Sequence, residues 1–143
     1  MSSPVDARSP ILTPNVGHYI DGLLRPPDPL AAVLSAHATQ RGFPLIGHTS
    51  GNWLELLTRS IQGKRVFEFG SGFGFSAFYF ARAVGEDGEV IGAEHDDHEL
   101  VDFERLYGDH PFKQRIDIRL GCAFETFHAT EGMFDVILID IDK

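Results

Sequence analysis

The chain has 143 residues, enough for one domain of ordinary size and too few for two. Apolar residues make up 43% of it, which supports a packed core, while 21 acidic against 12 basic side chains leave a formal charge of −9. That balance lacks the basic footprint of a nucleic-acid binder and points to a small substrate, or to one carrying its own positive charge. The single cysteine, Cys122, excludes an intrachain disulfide framework and a cysteine-cluster zinc site, and fits a reducing cytoplasm. No apolar run approaches the roughly 20 residues of a membrane span, and no basic-then-apolar leader is visible.

In chain order, six prolines (Pro4, Pro10, Pro14, Pro26, Pro27 and Pro29) mark the first thirty residues. Residues 1–27 read as an arm with a short helical stretch from Val16 to Leu24, packing on the domain or on a partner subunit; for 1–12 a loose terminus is the equal alternative. Residues 28–143 read as the main domain. Asp28 as N-cap, Pro29 at the first helical position and Gly42 at the end bound a helix with the stripe Leu30, Val33, Leu34 and Ala38. After Pro44, Thr49 or Ser50 caps a second helix. Trp53, Leu54, Leu56, Leu57 and Ile61 give its expected buried face, Trp53 being assigned to the core, and Gly63 closes it.

From Lys64 strands and helices alternate: strand 64–69, helix 73–84, a turn at 85–88, strand 89–93, helix 96–108, strand 115–120, a polar loop or helical turn at 121–131, and strand 134–139. Alternation of this kind predicts an α/β, Rossmann-like, doubly wound parallel sheet with right-handed crossovers and an N-terminal helical arm. The chain stops at Asp140-Ile141-Asp142-Lys143, directly after the fourth strand. Ligands of open α/β sheets bind at that end of the strands. The expectation is therefore a sheet incomplete on its C-terminal side: a fragment, or a domain whose edge something else covers.

The stretch Val66 to Ser76 carries most of the chemistry. A strand ends in Glu68-Phe69, glycines follow at 70, 72 and 74, and an apolar run begins at once, the pattern of strand, tight turn and helix N-terminus. Phe75 stands where the dinucleotide fingerprint needs glycine or alanine, and no Gly-Lys-Ser/Thr follows, so neither pyrophosphate loop fits. Glu68 would repel a pyrophosphate but attract a sulfonium or an amine, and Phe73 and Phe75 offer aromatic faces to a cation. Glu94, ending the second strand, suits the two ribose hydroxyls of an adenosine, or else serves as a solvated strand-end acid capping the next helix. Together these features suit S-adenosyl-L-methionine.

At these residues the chain resembles the class I S-adenosylmethionine-dependent O-methyltransferases of the catechol and caffeoyl-CoA type, including their small bacterial members. The resemblance runs from about residue 16 to 143. It includes Gly17-His18-Tyr19-Ile20, Asp28-Pro29-Leu30, Pro44-Leu45-Ile46, the glycine loop, Glu94 and, most specifically, Phe134 to Lys143. It implies that Glu68, Gly70, Ser71 and Gly72 line the methionine side of the cofactor and that Ser76 holds its carboxylate. It further implies that Glu94 holds the ribose, that His95 and Ala123 lie by the adenine, and that Ile46 covers the cofactor. The family more often has an acid where Cys122 stands, beside Ala123. The resemblance implies Asp140 as ligand of Mg²⁺ or another divalent cation, Lys143 as the base acting on the acceptor hydroxyl, and Asp142 as a cofactor-side acid. The family's other metal ligands lie beyond residue 143.

The implied activity is methyl transfer to a hydroxyl of a small, aromatic or catechol-type acceptor, with a homodimer as the assembly. Two rivals stay open: a class I methyltransferase acting on nitrogen or protein, and a non-catalytic cofactor-binding or interaction fragment. An NAD-dependent oxidoreductase is disfavoured by Glu68 and Phe75. The seven histidines show no zinc spacing; Phe73, Phe75, Phe78, Tyr79 and Phe80 read as helix core; and the acids from Glu94 to Glu99 read as a helix start.

Overall fold

The computed structural model describes residues 14–23 and 28–141. The reading of residues 1–12 as arm or loose terminus, and the roles given to Asp142 and Lys143, lie outside the described residues.

Three helices precede the sheet: α1 (Pro14–Leu23), α2 (Pro29–Arg41) and α3 (Gly47–Ser60). Asp28 caps α2 as its sequence predicts, accepting from the Leu30 N–H at 2.9 Å, and Gly42 ends it in the left-handed conformation. Then come β1 (Arg65–Phe69), α4 (Phe75–Val84), β2 (Glu89–Glu94), α5 (Asp97–Tyr107), β3 (Ile116–Leu120), α6 (Ala123–Ala129) and β4 (Val136–Ile139). A 3-10 turn at Pro111–Arg115 leads into β3. The four strands are parallel and ordered β3-β2-β1-β4. The order reverses at β1, so α4 and α5 cover one face and α6 the other: a doubly wound α/β domain.

The core follows from that winding. Leu34, Val66, Phe78, Phe80, Val84 and Val90 are fully buried between α2, α4 and the sheet. Phe73, Phe75 and Tyr79 join them, so the aromatic run is core. On the opposite face Phe67, Phe69, Ile91 and Ala93 pack under Ala123, Phe127 and Phe134. A fully buried phenylalanine is worth about 2 kcal/mol of transfer free energy, so this aromatic packing contributes substantially to the core.

Two helix faces differ from expectation. On α2 the buried side chains are Leu30, Ala31, Leu34 and Ala38, while Val33 is exposed. On α3 the helix starts at Gly47 instead of Thr49 or Ser50; of the expected face Leu54 packs against the core, while Trp53, Leu56, Leu57 and Ile61 are all more than half exposed. Trp53 is therefore not core. The face that packs on α4 uses Gly51 and Thr58; a Cβ at Gly51 would collide with the Tyr79 ring. Small residues let the two helices approach closely, and the larger apolar stripe is left turned outward.

Candidate cofactor-binding site

β1 delivers the chain to the glycine loop at the carboxyl end of the sheet. Gly70 has φ +79°, and a Cβ there would collide with the Asp140 carbonyl just beyond β4. Gly72 has φ +49°, and its Cβ would meet the Phe43 ring at 2.9 Å. Both positions need glycine for conformation and for room. The loop is tied to β2: Gly70 and Ser71 donate their N–H groups to the Ala93 carbonyl at 3.0 and 3.3 Å. Tyr107 of α5 donates its hydroxyl to the Gly74 carbonyl at 2.6 Å. Burial raises the Tyr107 phenol well above its ordinary range, so it stays a donor.

Glu94 completes the loop's anchorage. Oε2 accepts from Gly72 N–H at 2.8 Å, and Oε1 accepts from the N–H groups of His95 (2.8 Å) and Asp96 (3.1 Å). The helix cap itself is Asp96, which accepts from His98 N–H at 2.9 Å. Glu94 thus faces the loop and holds its carboxylate in a fixed pose.

Beneath the loop lies Glu68, 0% exposed, with neither carboxyl oxygen hydrogen-bonded. Burial raises this carboxyl to about 8. The nearby Ser76 hydroxyl opposes the rise without reaching hydrogen-bond geometry, and the Asp140 and Glu94 carboxylates add to it. Ser71 Oγ is also buried without a partner.

A cleft of about 740 Å³ opens above these groups. Ile46, Gly70, Ser71, Gly72, Ser76, Glu94, His95 and Asp140 line it, so eight of the predicted site residues come together. Glu68 lies under its floor. Ala123 does not line it; that residue opens α6 and packs on the cluster of Phe67 and Phe69.

Two wall elements carried no signal in the sequence. Phe43 lies against Gly72 and against the Phe73 ring, 5.1 Å between centroids. Glu99, 3% exposed, is gripped by Arg41 through bonds of 3.0 and 2.5 Å. Arg41 also reaches Asp102 at 2.7 Å, and Asp102 holds His37 at 2.6 Å and Arg105 at 2.6 Å. Burial would raise the Asp102 carboxyl, but Arg105 and His37 outweigh it and hold the group below the usual range. This ionic cluster fastens α2 to α5 and sets the strap Phe43 to Ile46 along the cleft.

The donor set suits one kind of ligand. Two acids, one of them unpartnered, and a loop without a basic side chain fit a group bearing positive charge and fit a pyrophosphate poorly. A hard divalent cation fits less well. Among the described residues the one group of three ligating side chains within reach of each other is Asp96, Asp97 and His98, at the start of α5, and it does not include Asp140. One carboxylate does not make a Mg²⁺ site.

The fold and the site define an α/β domain with an open cleft over the glycine loop, at the point where the strand order reverses. A family model for O-methyltransferases matches residues 33–143. A catechol O-methyltransferase of Niastella koreensis is 29% identical over 90% of this chain and 61% of its own length. A catechol O-methyltransferase of Mycobacterium tuberculosis is 31% identical over 91% of this chain and 60% of its own. A methyltransferase structure from Geobacter sulfurreducens, 27% identical, superposes with a TM-score of 0.81, covering 90% of this chain and 67% of that one. The structure of cofactor-bound Rv0187 from MTB, 29% identical, also gives 0.81, over 90% of this chain and 61% of that one. The chain belongs to the O-methyltransferase family. It spans about three fifths of the length of the curated relatives named here.

Proposed function

We propose that the chain binds S-adenosyl-L-methionine in the cleft and serves methyl transfer to a hydroxyl of a small, aromatic or catechol-type acceptor. The observation that carries this reading is the Gly72–Glu94 unit with the unpartnered Glu68 beneath it. It offers a fixed carboxylate for ribose hydroxyls and a buried acid for a cationic end. In this reading Gly70, Ser71, Gly72 and Glu68 flank the methionine side, and Ser76, in the first turn of α4, donates to its carboxylate. Glu94 accepts from the ribose, His95 lies beside the adenine, and Ile46 closes the top. The cofactor supplies an activated methyl group; the residues supply position and exclude water, which is most of the catalysis in an in-line transfer.

Asp140 faces the cleft from the end of β4, where the acceptor would enter. In this reading Lys143 is the base drawing the acceptor proton and Asp142 a cofactor-side acid, both outside the described residues. Asp140 would hold a divalent cation only together with ligands supplied from outside the described residues. The exposed stripe Trp53, Leu56, Leu57 and Ile61 supports a homodimer, because a soluble chain seldom leaves four large apolar side chains together in water. The lone free thiol, exposed Cys122, suits a cytoplasmic setting. None of the described helices is long and apolar enough to cross a membrane.

Titration with S-adenosylhomocysteine and with NAD in parallel tests the cofactor. Binding of the former is expected, and binding of NAD alone overturns the reading. Methylation of a catechol with and without chelator then tests the acceptor and the cation. A rate that is the same in both arms removes the cation from the proposal.

A further inference from the structure

Among the described residues, Glu68 is the only ionisable side chain whose polar atoms are buried without a hydrogen-bond partner. It stands at the end of the central strand, directly under the glycine loop. The groups that act on it come from every side: Ser76 from α4, Glu94 from β2, Asp140 from beyond β4, and Tyr107 from α5. None of them is a cation. The position is therefore poised for a positive charge that the protein does not itself provide. A buried carboxylate without counter-charge is expensive, so an empty cleft favours the neutral acid, and a raised carboxyl of about 8 agrees with that.

We propose that Glu68 is the charge selector of the cleft: it ionises when the cationic end of the cofactor enters, so that binding releases one proton and favours ligands carrying positive charge there. This rests on the cofactor reading proposed above. The balance is simple. The carboxyl O–H breaks, its proton passes to solvent, and the resulting carboxylate neutralises the ligand's ammonium group. Neither partner is left buried and alone. A ligand that lacks the cationic end gives no such exchange and leaves Glu68 protonated.

Isothermal titration calorimetry on the full chain at pH 7, in two buffers of different ionisation enthalpy, reads the proton directly. S-adenosylhomocysteine, which keeps the ammonium group, is expected to release close to one proton. The probe 5′-methylthioadenosine, which lacks the amino-acid end, is expected to release none. Affinity for S-adenosylhomocysteine should rise by up to tenfold per pH unit below about pH 8 and then level off, because Glu68 is already ionised above that point. Glu68→Gln should still bind both ligands, with no proton release and a flat pH profile. Binding of S-adenosylhomocysteine by the wild type with the same observed heat in both buffers overturns the proposal and leaves the cofactor reading intact. Failure of the wild type to bind it at all overturns the cofactor reading, and this inference with it. The wild-type comparison of the two ligands decides the matter even where the variant does not fold.

Discussion

The Gly72 N–H donates to Glu94 Oε2 at 2.8 Å, joining the loop after β1 to the acid that ends β2 across 22 positions of sequence. Glu94 therefore has two duties, shaping the loop and facing the cleft. Glu94→Gln keeps the volume but leaves one oxygen to serve three N–H donors. The expected outcome is a loss of about 1–3 kcal/mol in folding stability, read by urea unfolding. Affinity for S-adenosylhomocysteine should fall at least tenfold in calorimetry. A variant that loses affinity at unchanged stability would separate the two duties.

Gly70 and Gly42 both hold positive φ, but only Gly70 has backbone in the way. Gly42→Ala adds a methyl group into open space and should cost about 1 kcal/mol, the ordinary cost of a left-handed alanine. Gly70→Ala must also push the Asp140 carbonyl aside, shifting the end of β4. A loss of roughly 3 kcal/mol is expected, with cofactor binding abolished. Urea midpoints for the two variants check the difference; equal losses would mean that the Gly70–Asp140 approach is relaxed in solution.

Much of this was legible in the sequence because it is local. The strand, glycine turn and helix from Val66 to Val84 follow from spacing within twenty residues, and Glu94 follows from the end of the next apolar run. The alternation of strands and helices gave the parallel winding. What was not legible is which face of a helix meets which neighbour. The period of α3 marked Trp53, Leu56, Leu57 and Ile61 as one stripe but could not tell an inner face from an outer one; Gly51, the residue that fits against Tyr79, has no hydrophobic signature. On α2 the same ambiguity exchanged Ala31 for Val33. Glu99 was read as one acid among several at a helix start. Its partner Arg41 lies 58 positions away, and no spacing rule connects them.

The buried Glu68 makes a prediction about pH and folding. Its carboxyl sits near 4.5 when free of the fold and is raised to about 8 within it. Between those values the folded chain holds a proton that the unfolded chain has lost. Stability from this group is thus complete below about pH 4.5 and falls as pH rises towards 8, by up to ~1.4 kcal/mol per pH unit. Urea midpoints of the wild type between pH 5 and 8.5 should carry that downward component, and Glu68→Gln should flatten it. A wild-type and variant pair with parallel profiles would show that Glu68 does not hold the proton.

The outward stripe of α3 bears on assembly. Replacing Trp53 and Leu57 by glutamine removes two large apolar side chains without touching the face on α4, where Gly51 and Thr58 lie. Sedimentation at micromolar concentration should show a dimer for the wild type and a monomer for the double variant, with stability of the isolated fold nearly unchanged. A monomeric wild type would remove the dimer from the proposal.

Arg41 and Glu99 set the far wall of the cleft, and their energetics can be separated from their geometry. Glu99 is 3% exposed and takes two bonds from the guanidinium, so Arg41→Met leaves a buried acid without its counter-charge. Arg41 itself is about a third exposed, which screens part of the effect. A loss of roughly 2–4 kcal/mol is expected for the single variant. Glu99→Gln alone should cost less, since the amide keeps one acceptor and carries no charge to strand. The double variant should recover part of the Arg41→Met loss, giving a coupling of about 1–3 kcal/mol in a double-mutant cycle. The strap Phe43 to Ile46 follows α2 directly, so the same variants should weaken S-adenosylhomocysteine binding through faster dissociation, read by stopped-flow. Additive losses in stability, with an unchanged dissociation rate, would show that the ion pair holds α2 without positioning the strap.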